Sequence, residues 1–467
     1  LGHLALATAI ILIAAFAGQV RRWRQEWRTN RKAVEISRTE EIAPRVKGAE
    51  ILVRFKPGTT LDYIRSIAAA HHDLVEDEIE SVDGLTVLED EDGLDADTVV
   101  NEYRNLPGVE YAEPNFEIDL SDPFFGPVLP ARSSGLTFDL PGNMPNDPMF
   151  VNQWSLKNDG QAGGQQGADI SALDAWTKTK GSESVVVAVL DSGVDYTHQD
   201  LVQNIWMRPS DMTEYSDREL GTINDLHGFN AIDNMRDPMD DNGHGTHCAG
   251  IIGAEGGNDF GITGINWNVQ IMPLKFMNAM GQGTTKDAIE AINYVVDRKN
   301  AGVNVRIISA SWGSTRKSKA LSDAIKRAGD EGILFVAASG NSSANADRTP
   351  HYPAGYDLPN VISVAATDRN DKLASFSNYG AKSVHIAAPG REILSTWLNG
   401  DFREASGTSM ATPEVAGVAA LVLSQEPDIS VADLRARLLK SVDKLPALEG
   451  KVASGGRINA AKAVRAD

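Results

Sequence analysis

Three residues far apart in the chain have the types needed for one reaction: a carboxylate at Asp191, an imidazole at His244 and a hydroxyl at Ser409. A hydroxyl attacks a carbonyl at neutral pH only when a base within hydrogen-bond reach takes its proton. That base needs a carboxylate to hold its tautomer and stabilise its charged form. The order Asp, His, Ser is one of those in which this constellation recurs on α/β scaffolds. Taken singly, each residue also has a plainer reading. Ser409 opens an alanine- and valine-rich run, 409–423, that reads as a buried helix, and serine is a common helix cap. The unpaired N–H groups and positive dipole end of such a helix equally suit an oxyanion. Asp191 ends the apolar run 185–190, where a lone aspartate is often a turn residue. His244 stands between Gly243 and Gly245 at the head of a helical run, 244–253. With His247 it makes a possible metal pair at i, i+3, but no glutamate follows in the HExxH pattern. A triad of this kind loses activity at acid pH, because His244 must be neutral to accept a proton.

The elements that must position these groups follow from patterning. Apolar runs at 185–190, 271–276, 306–311, 333–338, 361–366 and 384–387 alternate with helical patterns at 244–253, 284–297, 319–328, 409–423 and 431–441. Near-continuous apolar strands between helices predict an α/β domain over 146–467, with a parallel sheet covered on both faces. Ligands of such sheets bind beyond the carboxyl ends of strands, where Asp191 falls. Upstream, 48–120 reads as a small α+β unit of βαββαβ order. Its strands are at 50–56 and 84–88, its helices at 60–70 and 96–105, and a last strand pair at 109–112 and 116–118. The acidic run 73–97 is either a binding face or simply solvated. The stretch 121–145, rich in Pro, Gly and Ser, is expected to be a linker open to cleavage, and 21–47 a basic linker. Residues 1–20 are apolar, and the chain starts at Leu1 without a methionine, which reads as a truncated leader. Ala15-Phe16-Ala17 before Gly18 suits a secretory signal; Arg21, Arg22, Arg24 and Arg28 suit a membrane anchor. The net charge of −20 over 467 residues argues against nucleic acid as a partner. A single cysteine, Cys248, excludes an intrachain disulfide.

Three blocks in this order, VAVLDSGVD (187–195), HGTHCAG (244–250) and GTSMATPEVAG (407–417), resemble the signatures of the subtilase (subtilisin-like) serine peptidases. The segment 146–156, NDPMFVNQWSL, and Cys248 look most like the thermitase and proteinase K branches of that family. The resemblance implies a subtilisin-like fold and endopeptidase activity on polypeptides. Asn341, closing VAASGN, would complete an oxyanion hole with the Ser409 N–H. Ser311, Trp312 and Gly313 would pair with the substrate backbone on one side, and Gly281 and Gly283 on the other, so that an extended peptide binds by β-augmentation. The segments 51–58 and 106–118 resemble a subtilase inhibitory propeptide, which makes 48–120 an intramolecular inhibitor and the chain a secreted zymogen with a monomeric mature form. The resemblance also implies structural calcium, held by Asp147, Asp200 and Asn258 with the carbonyls of Glu255, Phe260 and Ile262, and no organic cofactor. Asn230, Asp233, Asp237 and Asp240 keep part of a second such pattern. Glu414 stands where many relatives have histidine, and its charge is expected to suit the helix dipole. Cys248 is expected to pack near His244 as a small hydrophobe. The alternatives are a catalytically silent binding protein on this fold and a membrane-tethered processing protease.

Overall fold

The computed structural model describes residues 48–120, 124–130, 144–217, 221–232 and 237–465. The expectations for 1–20 and 21–47 lie outside these residues, and no described helix is long and apolar enough to cross a membrane.

Residues 49–114 form an antiparallel sheet under two helices. In chain order these are β1 (Glu50–Phe55), α1 (Leu61–Ala70), β2 (Asp73–Glu78), β3 (Leu85–Asp90), α2 (Ala96–Arg104) and β4 (Val109–Pro114), with strand order β2-β3-β1-β4. Both helices start on capping side chains, Thr60 accepting from the Tyr63 N–H and Asp95 from the Thr98 N–H. Alternation along β1 divides the sheet's faces. Ile51, Val53 and Phe55 pack with Ile64, Val99 and Tyr103 of the helices. Leu52, with Leu85 and Val87, joins the core of the following domain.

Two short strands continue the chain, β5 (Glu117–Asp119) and β6 (Phe124–Leu129). The large domain then supplies α3 (Ala172–Trp176), β7 (Gly181–Asp191), the hairpin β8 (Tyr215–Asp217) and β9 (Gly221–Ile223), β10 (Phe229–Asn230) and α4 (His244–Gly253). After these come β11 (Asn268–Lys275), β12 (Gln282–Thr284), α5 (Thr285–Asn300), β13 (Val305–Ala310), α6 (Lys319–Asp330), β14 (Leu334–Ala338), β15 (Val361–Thr367), β16 (Ile386–Pro389), β17 (Ile393–Thr396) and β18 (Phe402–Ser406). The chain ends through α7 (Thr408–Gln425), α8 (Val431–Lys440), β19 (Val442–Lys444), β20 (Gly456–Ile458) and α9 (Ala460–Ala463). Nine strands form one sheet in the order β10-β11-β7-β13-β14-β15-β16-β20-β19, parallel except at β19. The subtilisin-like α/β domain with helices on both faces is therefore present, preceded by the small α+β unit.

Burial on both faces explains the unbroken apolar strands. Val185, Val187 and Val189 of β7 belong to one core, Val186, Ala188 and Leu190 to the other. The helix α7 has no polar face because it runs through the first core: Thr408 to Leu423 are all buried, and it packs on β7, β13, β14, β15 and β16.

Three local expectations change. The acidic run is solvated only in part: Glu80, Asp83, Glu91, Asp92, Asp95 and Asp97 are exposed, whereas Asp73 and Asp77 of β2 and Glu89 and Asp90 of β3 are buried. Residues 116–118 do not pair with β4, since β5 pairs with β12 of the large domain. The stretch expected to be a linker contributes β6, an edge strand antiparallel to β18.

Candidate active site

Asp191 ends β7 and is fully buried. His244 is the first residue of α4, and Asp240 builds the turn before it. One Asp240 oxygen accepts the N–H groups of Asn242 and Gly243 and the Ser192 hydroxyl, each at 2.9 Å. The other accepts the Thr246 N–H at 3.0 Å and hydroxyl at 2.6 Å. Gly243 has φ +105°, and a Cβ there would lie 2.5 Å from the Trp397 ring, so the turn takes only glycine. His244 Nδ1 then lies 2.7 Å from Asp191 Oδ1, which also accepts the Ser192 N–H at 2.8 Å. A carboxylate only accepts, so Nδ1 carries the proton and Nε2 is the basic nitrogen. Nε2 is buried with no hydrogen-bond partner.

Ser409 is the second residue of α7. Its hydroxyl donates to the Ser311 carbonyl at 2.9 Å, and the Ser311 hydroxyl donates back to the Ser409 carbonyl at 2.8 Å. Cys248, one turn after His244, joins the two halves. Its Sγ is 3.5 Å from the Ser409 carbonyl oxygen, and the thiol, the Asp191 carboxylate and a His244 ring nitrogen lie within 4.8 Å of one another. Burial pushes the thiol pKa well up, so Cys248 is a neutral packing group. His247 is not half of a metal pair: its Nε2 lies 3.1 Å from the Ile393 carbonyl and 2.9 Å from that of Arg403, bracing β17 and β18. Burial lowers its pKa to about 3, so it is neutral.

Asn341 follows β14, and its Oδ1 accepts the Thr408 N–H at 2.8 Å and hydroxyl at 2.9 Å. This ties the amide beside the residue preceding Ser409. Trp312 is buried against Phe276 and donates to the Leu190 carbonyl at 2.8 Å. A Cβ on Gly313 would stand 2.4 Å from His351 Nε2. On the facing side, Gly283 approaches Phe276 so closely that a Cβ would lie 2.1 Å from its carbonyl oxygen, and Gly281 has φ +74°.

A segment of this chain already occupies that edge. Glu117 pairs with Thr284, Ile118 with Gly283 and Asp119 with Gln282, and the Leu120 N–H donates to the Gly281 carbonyl at 2.9 Å. The chain is next described at Phe124, opposite Ser406, three positions before Ser409. The preceding unit is held by further contacts. The Glu113 carboxylate accepts from the Ser318 hydroxyl at 2.6 Å and from the N–H groups of Lys319 and Ala320 at the start of α6. Asp323 of α6 accepts from Arg54 and from Tyr111.

The residues expected to hold calcium also converge. The Asp147 carboxylate accepts the Gly257 N–H at 2.7 Å; that of Asp200 accepts Asn258 Nδ2 at 2.8 Å and the Ile262 N–H at 2.9 Å. The Glu255 N–H donates to the Asp200 carbonyl, and the Phe260 N–H to Asn258 Oδ1. Burial, opposed by these bonds and reinforced by neighbouring charge, raises Asp147 to about 7 and Asp200 to about 8. Neither carboxylate has a cationic partner among the described residues. The second set is described only in part. Asp240 is committed to the α4 turn, Asn230 donates to the Asp237 carbonyl at 2.9 Å, and Asp233 lies outside the described residues. Glu414 differs from expectation as well. It is fully buried beside Ser155, and burial raises its pKa to about 8, so it is a neutral acid at pH 7 and brings no charge to the dipole.

Sequence reasoning did not single out Asp240 as the residue that shapes the histidine turn. The signal was local: an acid two residues before Asn242-Gly243 is positioned to take turn N–H groups.

The subtilase family matches residues 182–456, and the fervidolysin N-terminal prodomain matches 34–115. A thermophilic serine proteinase of Bacillus sp. (strain AK1) is 35% identical over 369 residues, 79% of this chain and 76% of that protein. Thermitase of Thermoactinomyces vulgaris is 36% identical over 321 residues, 69% of this chain and 99% of thermitase. Subtilisin-like protease 2 of Plasmodium falciparum is 36% identical over 305 residues, 64% of this chain but 21% of that protein. A buried Asp–His pair, a serine opening the core helix and a matching prodomain ahead of them agree with these likenesses: the chain belongs to the subtilase family and is a serine endopeptidase with an N-terminal prodomain.

Proposed function

We propose that this chain is a secreted zymogen in which Ser409 is the nucleophile, His244 the general base and acid, and Asp191 the group that orients His244. In the reaction the Ser409 hydroxyl leaves the Ser311 carbonyl for Nε2, its oxygen attacks the substrate carbonyl, and the proton passes to His244. His244 returns that proton to the leaving amine, and water releases the acyl-enzyme by the same relay. The Asn341 amide and the Ser409 N–H stabilise the oxyanion, a contribution of about 3–4 kcal/mol from one such donor. The prodomain acts as the intramolecular inhibitor. The observation that carries this reading is Leu120 bonded to Gly281 on one edge and Phe124 opposite Ser406 on the other: the described residues on either side of 121–123 each pair with an edge, as the two ends of a bound peptide would. Self-cleavage then falls between Leu120 and Phe124, inside the stretch 121–145 expected to be cut.

Calcium fits the pocket formed by Asp147, Asp200 and Asn258 with the 255–262 loop. Two carboxylates buried side by side without a counter-charge are a donor set suited to a hard divalent cation, with the carbonyls of Glu255, Phe260 and Ile262 as further oxygens. Its part would be structural, fixing that loop.

The test is expression of the full chain with and without Ser409→Ala. The native chain should yield a new N-terminus within residues 121–124 and digest casein. The variant should accumulate uncut and inactive. Processing at that place in the Ser409→Ala protein purified alone would overturn the reading.

A further inference from the structure

We propose that the outer edge of β18, together with the Arg403 guanidinium, binds the stretch of a substrate polypeptide that follows its scissile bond, and favours an aromatic residue there. The inference rests on Ser409 being the nucleophile, since that places β6 downstream of the cut. Among the described residues, β17 pairs with one edge of β18 and β6 with the other. Phe402 faces Leu129, Arg403 faces Val128, Ala405 faces Phe125 and Ser406 faces Phe124.

Among the described side chains of β6, Leu129 packs against the main core, while Val128 is 46% exposed and Phe125 39%, so along most of β6 backbone pairing is the hold, as for an extended peptide added to a sheet edge. Two side-chain features add selectivity. Arg403 Nε donates to the Gly126 carbonyl at 2.8 Å, and the guanidinium lies 4.6 Å from the Phe125 ring centroid and 4.8 Å from that of Trp397. The Phe125 ring meets Trp397 edge-on at 5.1 Å. An aromatic side chain is thus held between a cation and an indole, while the hydrogen bond beside it reads only backbone. A cleft of about 450 Å³ continues from this point, lined by Phe125, Gly126, Phe376, Arg391, Glu404 and Ser406. Free of β6, it would give a longer substrate room beyond the reacting bond.

The experiment uses the full chain after complete self-processing, with a short peptide anilide whose leaving group ends at the cut as the reporter. A peptide of sequence 117–129 and its Phe125→Ala counterpart are compared as competitive inhibitors. The native peptide should inhibit roughly tenfold more tightly, the scale of one partly desolvated cation–π contact. In the Arg403→Ala enzyme the two peptides should become equal. Equal inhibition of the native enzyme, or a preference that survives Arg403→Ala, would overturn the proposal. Absence of anilide turnover would instead refute the catalytic reading. The peptides would then be compared by calorimetric titration, with the same tenfold difference expected.

Discussion

The Ser409 hydroxyl rests on the Ser311 carbonyl at 2.9 Å while His244 Nε2 has no partner, so the two groups are not hydrogen-bonded to each other. Cys248 is fully buried beside Ser409, with Sγ 3.5 Å from the Ser409 carbonyl. A mercurial or bulky thiol reagent that reaches Cys248 should therefore displace Ser409 and reduce kcat roughly a hundredfold, the usual consequence of an ångström misplacement. Mass spectrometry gives the stoichiometry, and full activity at one label per chain would contradict the packing role. At this scale the sequence was informative where chemistry needs small neighbours. Gly243 and Gly245 mark His244, and Gly407 with Thr408 marks Ser409. It suggests other roles for Asp240, as part of an ion-binding pattern, and for Glu414, as a charge at the helix dipole. The first acts through turn N–H groups and the second through burial, and neither property belongs to the residue type alone.

Elements that pair within one domain were legible from periodicity; those that pair between parts of the chain were not. The strand at 116–118 is readable, but its pairing with β12 and not with β4 is not, and β6, FFGPVL, is punctuated by Gly126 and Pro127. Proline is tolerated there because an edge strand leaves N–H groups unpaired. The acidic β2 misled for a related reason: its Asp77 is buried beside a carboxyl of the large domain, and its Asp73 accepts from the Tyr103 hydroxyl of α2. Glu290 of α5 is buried, and its pKa is raised by that burial first and then by hydrogen bonding to Asp77, with Asp217 adding charge and Lys286 opposing. Lys286 pairs in turn with Glu76 of β2 at 3.2 Å. A carboxyl whose pKa is raised in the complex favours it fully below the free value and ceases to do so as pH rises through the bound value. Release of the cleaved prodomain should therefore accelerate from the ordinary carboxylate range upward, by at most about tenfold per pH unit for one proton. The lag before activity appears, followed from pH 5 to 9, measures this. Glu290→Gln should flatten the profile, and an unchanged slope would exclude Glu290 as the group that sets it.

At the scale of the molecule, the sheet, its two cores and the order of domains follow from runs of apolar residues, whereas the proposed ion site depends on segments distant in sequence meeting. Asp147, Asp200 and the 255–262 loop come together only in the fold. If calcium stabilises the folded form there, a hundredfold excess over Kd contributes about 3 kcal/mol, or roughly 4 °C in Tm for a domain of this size. EGTA should remove that increment, and Asp200→Asn should make Tm independent of calcium; identical melting with and without EGTA would refute the site. The central claim is that one hydroxyl, opened by one imidazole, carries the activity. It is tested most directly by fluorophosphonate labelling of the processed enzyme with the adduct mapped by mass spectrometry. The account predicts a single adduct on Ser409, absent in the Ser409→Ala protein and formed orders of magnitude more slowly in His244→Ala. An adduct on another residue, or labelling at the native rate without His244, would contradict it.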